Sequence, residues 1–129
     1  MTLPNMLLVG AGSCLGGMLR YMLGSIIQIH THGPFPWGTL GVNLAGCLAL
    51  GFICGLIDNG CHLGQGMRLF LTVGLCGGFT TFSTFVNETH LLCDHRQQLT
   101  AIAYATASLA GGITMLYVGH TAARLATTP

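Results

Sequence analysis

Charge is what this chain has least of. Lysine is absent, Arg20, Arg68, Arg96 and Arg124 are the only permanent cations, and the acids are Asp58, Glu88 and Asp94. Charged residues are 5% of the 129, against about 25% in a soluble domain. A soluble protein so poor in charge would lack a solvating surface, so the expected solvent is a lipid bilayer. A net charge of +1 without a basic patch argues against a nucleic-acid partner, which needs phosphate-neutralising cations. The chain also lacks any Cys-x-x-Cys pair among its six cysteines, which counts against a thiol oxidoreductase within the membrane. Most of the cysteines sit in apolar runs, where the thiol behaves as a small hydrophobe. His30-x-His32 and Cys61-His62 fall in connections and lack the spacing of a zinc site. With no basic stretch and no small-residue cleavage site at the N-terminus, a cleaved signal peptide is not expected.

What the chain has in quantity is apolar length. A membrane-spanning helix needs about 20 apolar residues, and four segments qualify: 3–29, 38–57, 69–92 and 97–123. Arg20 interrupts the first and Glu88 lies near the end of the third. The expected fold is an all-α membrane protein, a single transmembrane domain of four helices. Trp37 stands at a segment boundary, where an amphipathic ring favours the interface. With four spans, Arg68 and Arg124 fall on one side and Arg96 on the other, joined by Arg20 if it snorkels that way. So even a tally leaves either insertion open, because orientation follows the lysine and arginine bias of the loops. No internal repeat is visible, so any inverted symmetry has to come from two chains paired head to tail. The alternative is that one loop arginine sets a single orientation. Twenty glycines, with Gly12/Gly16, Gly51/Gly55 and Gly74/Gly78 four apart, predict close helix crossings.

The third segment is chemically unlike the others. Residues 74–85 read Gly-Leu-Cys-Gly-Gly-Phe-Thr-Thr-Phe-Ser-Thr-Phe. Irregular backbone at membrane depth is tolerated only where it is buried in protein or lines a cavity. A break at Gly77 and Gly78 would free main-chain carbonyls near Gly77 and Thr80 for a hard cation such as Na⁺. The competing reading is a kink, with glycine chosen for close packing. Phe79, Phe82 and Phe85 recur every third residue, either as a packing stripe or as ring edges aimed at an anion, since a phenyl edge is positive. Thr80, Thr81, Ser83 and Thr84 interleave hydroxyl donors with those rings. Asn43 is the strongly polar side chain inside the second segment, either a pore donor or an interhelical hydrogen bond. Arg20 reads as a positive collar at an anion vestibule, with Glu88 as its partner or a second vestibule residue. Tyr104, Ser108 and Gly112 share one face of the fourth segment.

These pieces resemble the CrcB/Fluc family of fluoride channels over nearly the whole chain. The matching motifs are Gly12-x-x-x-Gly16-Gly17-x-x-Arg20-Tyr21, then Gly38-Thr39-Leu40-x-Val42-Asn43-x-x-Gly46, and the run from Gly74 to Phe85 followed by Glu88. The resemblance implies an antiparallel, dual-topology homodimer in the inner membrane that lets F⁻ leave the cell passively, relieving fluoride toxicity without enzymatic chemistry. It implies pore phenylalanines at Phe82 and Phe85, a pore asparagine at Asn43, and a hydroxyl track of Ser83, Thr84, Tyr104 and Ser108. It also implies a structural Na⁺ at the dimer centre, held by the main-chain oxygens of Gly77 and Thr80. Three positions depart from the family pattern: Gly17 for Ala, Leu48 for Phe, and Gly112 for the Ser of some members. The competing class, a small multidrug exporter, has the same architecture but needs a carboxylate in its first helix, where this chain has Arg20.

Overall fold

A computed structural model of the chain describes residues 2–127, and it is all-helical over that range. Helix α1 is Leu3–His30, with a proline in its first turn, where the missing N–H costs nothing. It ends at Thr31, whose hydroxyl donates to the Ile27 carbonyl at 2.9 Å. The connection 31–36 turns through Gly33 at φ 111°. Helix α2 is Trp37–Asp58, and its first turn is capped from α1: Gly38 N–H donates to Gln28 Oε1 at 3.0 Å. The third span is interrupted. Its first half, α3 (residues 65–79), contains a π-helical stretch at Phe70–Cys76. Its second half, α4, is Phe82–Asp94. Helix α5 is Gln98–Thr127, entered through Arg96 at φ 59°.

All four spans are long and apolar enough to cross a membrane, and the chain is a multi-pass membrane protein. Their ends differ from the hydropathy boundaries. The third span starts at Gln65 rather than residue 69, and the last runs to Thr127 rather than 123. Helical backbone continues past the apolar run wherever polar residues at the interface can keep the hydrogen-bond ladder.

Backbone-to-backbone contact holds the bundle together. Helix α1 lies on α3 through glycines: a Cβ on Gly12 would stand 2.6 Å from the Phe70 carbonyl oxygen, and one on Gly78 2.6 Å from that of Ser13. Helix α2 lies on α5 in the same way, Gly55 against the His120 backbone and Gly51 against that of Leu116. In lipid, where apolar surface gains little by hiding from its solvent, such close van der Waals contact is what associates helices. Leucine, isoleucine and methionine side chains of α1 and α5 stay exposed, facing the bilayer.

Candidate functional site

The interruption sits at Thr80 and Thr81, three residues beyond the expected position. Gly77 is helical (φ −65°, ψ −37°), whereas Thr80 (φ −89°, ψ 158°) and Thr81 (φ −147°, ψ 119°) are extended. Gly78 is used for its missing side chain, against Ser13, rather than to unwind the helix. Thr81 restarts the helix: its Oγ1 accepts the Thr84 N–H at 3.3 Å and donates to Thr84 Oγ1 at 3.0 Å, a side-chain N-cap.

Asn43 holds this break open. Its Nδ2 donates to the Thr81 carbonyl at 3.0 Å, and its Oδ1 accepts the Thr81 N–H at 2.8 Å. One side chain thus replaces both main-chain partners that Thr81 loses at the break. The consequence reaches the carbonyls of the preceding turn. In a continuous helix Gly77 would accept from Thr81 N–H and Thr80 from Thr84 N–H. Asn43 takes the first amide and the Thr81 hydroxyl takes the second. Gly77 and Thr80, both on the wall of the same cavity, therefore keep carbonyl oxygens without their helical donors. Such oxygens suit a hard cation. The neighbouring Gly78 carbonyl is engaged by Arg20 Nε at 3.3 Å.

Around the break lies a cavity of about 260 Å³ bounded by Asn43, Gly46, Phe82, Phe85 and Ser108. Gly46 is glycine because the Thr80 methyl and Phe79 ring occupy its side-chain space. The break separates Phe79 from the other two rings. Phe82 and Phe85 form a tilted pair with centroids 5.7 Å apart. Phe85 is buried, while Phe82 is 72% exposed. Ser108 contributes a buried Oγ that has no hydrogen-bond partner among the described residues, an oddity where buried polar groups are nearly always paired. Ser83 is exposed, 3.5 Å from the Thr81 hydroxyl.

Tyr104 does not share this cavity. It is fully buried, packs against Phe85 with tilted rings whose centroids are 5.2 Å apart, and its OH donates to Glu88 Oε2 at 2.7 Å. Glu88 Oε1 accepts from Thr39 Oγ1 at 2.8 Å. Of the two readings left open for Glu88, pairing with Arg20 is not the one seen: the carboxylate is held by two hydroxyls and Arg20 by the Gly78 carbonyl. Both residues still line one larger cavity of about 540 Å³, with Thr39, Thr81, Thr84, His95 and Gln97. Gly112 faces α2, where Cys47 Sγ lies 3.4 Å from the position of a Cβ, so it packs between helices rather than lining either cavity. Thr81 was read from the sequence only as one of four hydroxyl donors, and Thr39 only as part of a motif, neither with the role it has here. Thr39 lies one helical turn before Asn43 on the same face of α2, a signal that could have found it. Among the described residues no group of three or more His, Cys, Asp or Glu side chains could hold a metal.

Four apolar spans, the third broken and pinned at membrane depth by a side chain of the second, define a membrane protein built around an interrupted helix with a donor-lined cavity. The model of the family described as CrcB-like protein, Camphor Resistance (CrcB), matches residues 7–120, and the chain belongs to that family. It is 43% identical over 115 residues to a protein of Rhizobium meliloti (strain 1021), covering 88% of this chain and 90% of that one. It is 42% identical over 125 residues to one of Chlorobaculum tepidum, covering 97% and 98%. To one of Nitratidesulfovibrio vulgaris (strain Miyazaki F) it is 38% identical over 123 residues, covering 95% and 99%. All three relatives carry the name fluoride-specific ion channel FluC.

Proposed function

We propose that this chain is a passive fluoride channel of the inner membrane rather than an enzyme, working as two copies inserted in opposite orientations. The observation that carries the reading is the pinned break: Asn43 fixes Thr81 and sets Phe82, Phe85 and the unpaired Ser108 hydroxyl around one cavity. Fluoride is small and strongly hydrated, so a path for it has to replace water with donors and still let the ion go. Ser108 Oγ–H is a donor in need of an acceptor. The Asn43 amide has two N–H groups and gives one to Thr81. The edges of Phe82 and Phe85 carry partial positive charge, and Ser83 and Thr84 continue the hydroxyls. Tyr104 acts one step back, behind Phe85 and on Glu88. HF that enters a cell from acid surroundings ionises inside, and a passive exit for F⁻ needs no energy coupling.

Two features support pairing with a second copy. Phe82 is 72% exposed beside the extended backbone of Thr80 and Thr81, and the loop arginines divide nearly evenly between the two sides. The Gly77 and Thr80 carbonyls lack their helical donors, and a single chain offers only these two oxygens. A matching pair from an antiparallel copy would complete a Na⁺ site at the centre, where the ion neutralises converging carbonyl dipoles and fixes the two breaks together. Melting of the purified dimer in NaCl is accordingly expected at least about 2 °C above that in KCl at equal ionic strength. Equal melting in the two salts would count against the cation.

The function is tested by F⁻ efflux from liposomes, read with a fluoride electrode, with Cl⁻ efflux run in parallel. Rapid F⁻ release without Cl⁻ release is expected. Well-folded dimers that release no F⁻ would overturn the reading and turn attention to proton-coupled cation export.

A further inference from the structure

The connection between α1 and α2 delivers one side chain to the core. Phe35 lies in residues 31–36, outside the four spans, and packs against the buried cluster that contains Phe85 and Tyr104. Its ring meets that of Tyr104 nearly edge to face, with centroids 5.5 Å apart and an interplanar angle of 78°. Tyr104 packs in turn on Phe85 at 5.2 Å, and Phe85 pairs with Phe82 at 5.7 Å. Phe35 also meets Trp37, the first residue of α2, with centroids 4.4 Å apart. The rings therefore touch in series, from a tryptophan at the end of a span to the two phenylalanines beside the break. The backbone of Phe35 is held on both flanks. Pro36, itself buried, disfavours helical backbone at the residue before it. The Phe35 carbonyl accepts the Trp37 N–H at 2.9 Å and Gln28 Nε2 of α1 at 3.4 Å. The same Gln28 side chain caps α2 through Gly38.

We propose that Phe35 is a positioning residue: through Tyr104 it fixes the tilt of the Phe85 ring, and so tunes the anion path from outside the spans. The inference rests on the channel reading and extends it to a side chain on the wall of neither cavity. A ring edge attracts an anion only when aimed at it, since the face of the same ring is negative. The orientation of Phe85 therefore matters as much as its presence. Edge-to-face packing is directional in the same way, whereas an aliphatic side chain at position 35 would fill space without fixing a tilt. Tyr104 can pass the constraint on because it has little freedom of its own. It is fully buried, and its OH is tied to Glu88 at 2.7 Å.

The test is F⁻ efflux from liposomes for a set of position-35 variants, with elution and melting of each dimer measured beside it. Phe35→Leu should lower the efflux rate roughly fivefold, the order set by losing one directed aromatic pair. Phe35→Met keeps most of the bulk and is the second variant should Phe35→Leu not fold; it should show the same loss. Phe35→Tyr keeps the ring and should stay within about twofold of the native rate. A role confined to packing would be rescued by bulk, whereas a role in aiming Phe85 is rescued by the ring alone. In a Phe85→Ile background, Phe35→Leu should change efflux by less than about twofold, because the ring it positions is gone. Native-like efflux in folded Phe35→Leu or Phe35→Met, equal losses in Phe35→Tyr and Phe35→Leu, or the same loss repeated in the Phe85→Ile background overturns the proposal. No F⁻ efflux from the native dimer would overturn the channel reading itself, and the role of Phe35 with it.

Discussion

Phe82→Ile should lower fluoride efflux at least about tenfold while leaving the dimer's elution and melting close to those of the native protein. Isoleucine keeps most of the apolar bulk and removes the ring, and with it the positive edge that an anion could meet. The chain's own packing should tolerate the change, because Phe82 is 72% exposed in the single chain and its ring contact is the pair with Phe85 at 5.7 Å. Phe85→Ile is the instructive comparison. That ring is buried and packs on Tyr104 at 5.2 Å, so its loss should depress both flux and melting temperature. Efflux read with a fluoride electrode, beside size-exclusion and thermal unfolding of the same preparations, separates the two. Native-like flux through a folded Phe82→Ile dimer would remove the ring edge from the mechanism.

Asn43→Leu is expected to be the most damaging single change at the site. Leucine fills a similar volume but leaves the Thr81 N–H and C=O, now bonded at 2.8 and 3.0 Å, without partners. A buried backbone group left unmade costs about 1–3 kcal/mol, so the pair should cost on the order of 2–6 kcal/mol and abolish flux with it. Asn43→Asp grades the effect: a carboxylate still accepts from Thr81 N–H, cannot donate to the carbonyl, and sets a negative charge beside the anion path. Its stability should fall between the other two, with flux still lost. Thermal unfolding in detergent measures the order. Native-like melting of Asn43→Leu would mean that something else holds the break.

Hydropathy alone located the four spans, because a bilayer demands some twenty apolar residues whatever their order. The interruption of the third was legible from its composition, since no spanning helix needs Gly77, Gly78 and four hydroxyls in succession. Its place was not. Glycine permits irregular backbone but does not require it, and at Gly77 and Gly78 the helix continues. The break falls where Thr81 can cap a new helix and Asn43 can reach it, a long-range pairing that local sequence does not reveal. Glu88 illustrates the same limit. The sequence left it open whether Glu88 pairs with Arg20 or stands as a second vestibule residue; Thr39 and Tyr104, one from α2 and one from α5, hold the carboxylate. Tyr104 was read as sharing a face with Ser108, and it does share the helix face. Its depth behind Phe85 depends on how α4 and α5 pack.

The broken span also bears on how the protein is made. Helix α3 is about 22 Å long and α4 about 20 Å, so neither half alone crosses a hydrocarbon layer of about 30 Å. Bare Thr81 backbone in lipid would cost several kcal/mol. A segment 65–94 that enters as one continuous helix, with its ladder intact, avoids that cost. It can open at Thr80 and Thr81 only once Asn43 is alongside. Because α2 is synthesised first, that side chain is already in the membrane when the third span arrives. On that route the irregularity of the third span is a late event in biogenesis, made by a neighbour that emerged from the ribosome earlier.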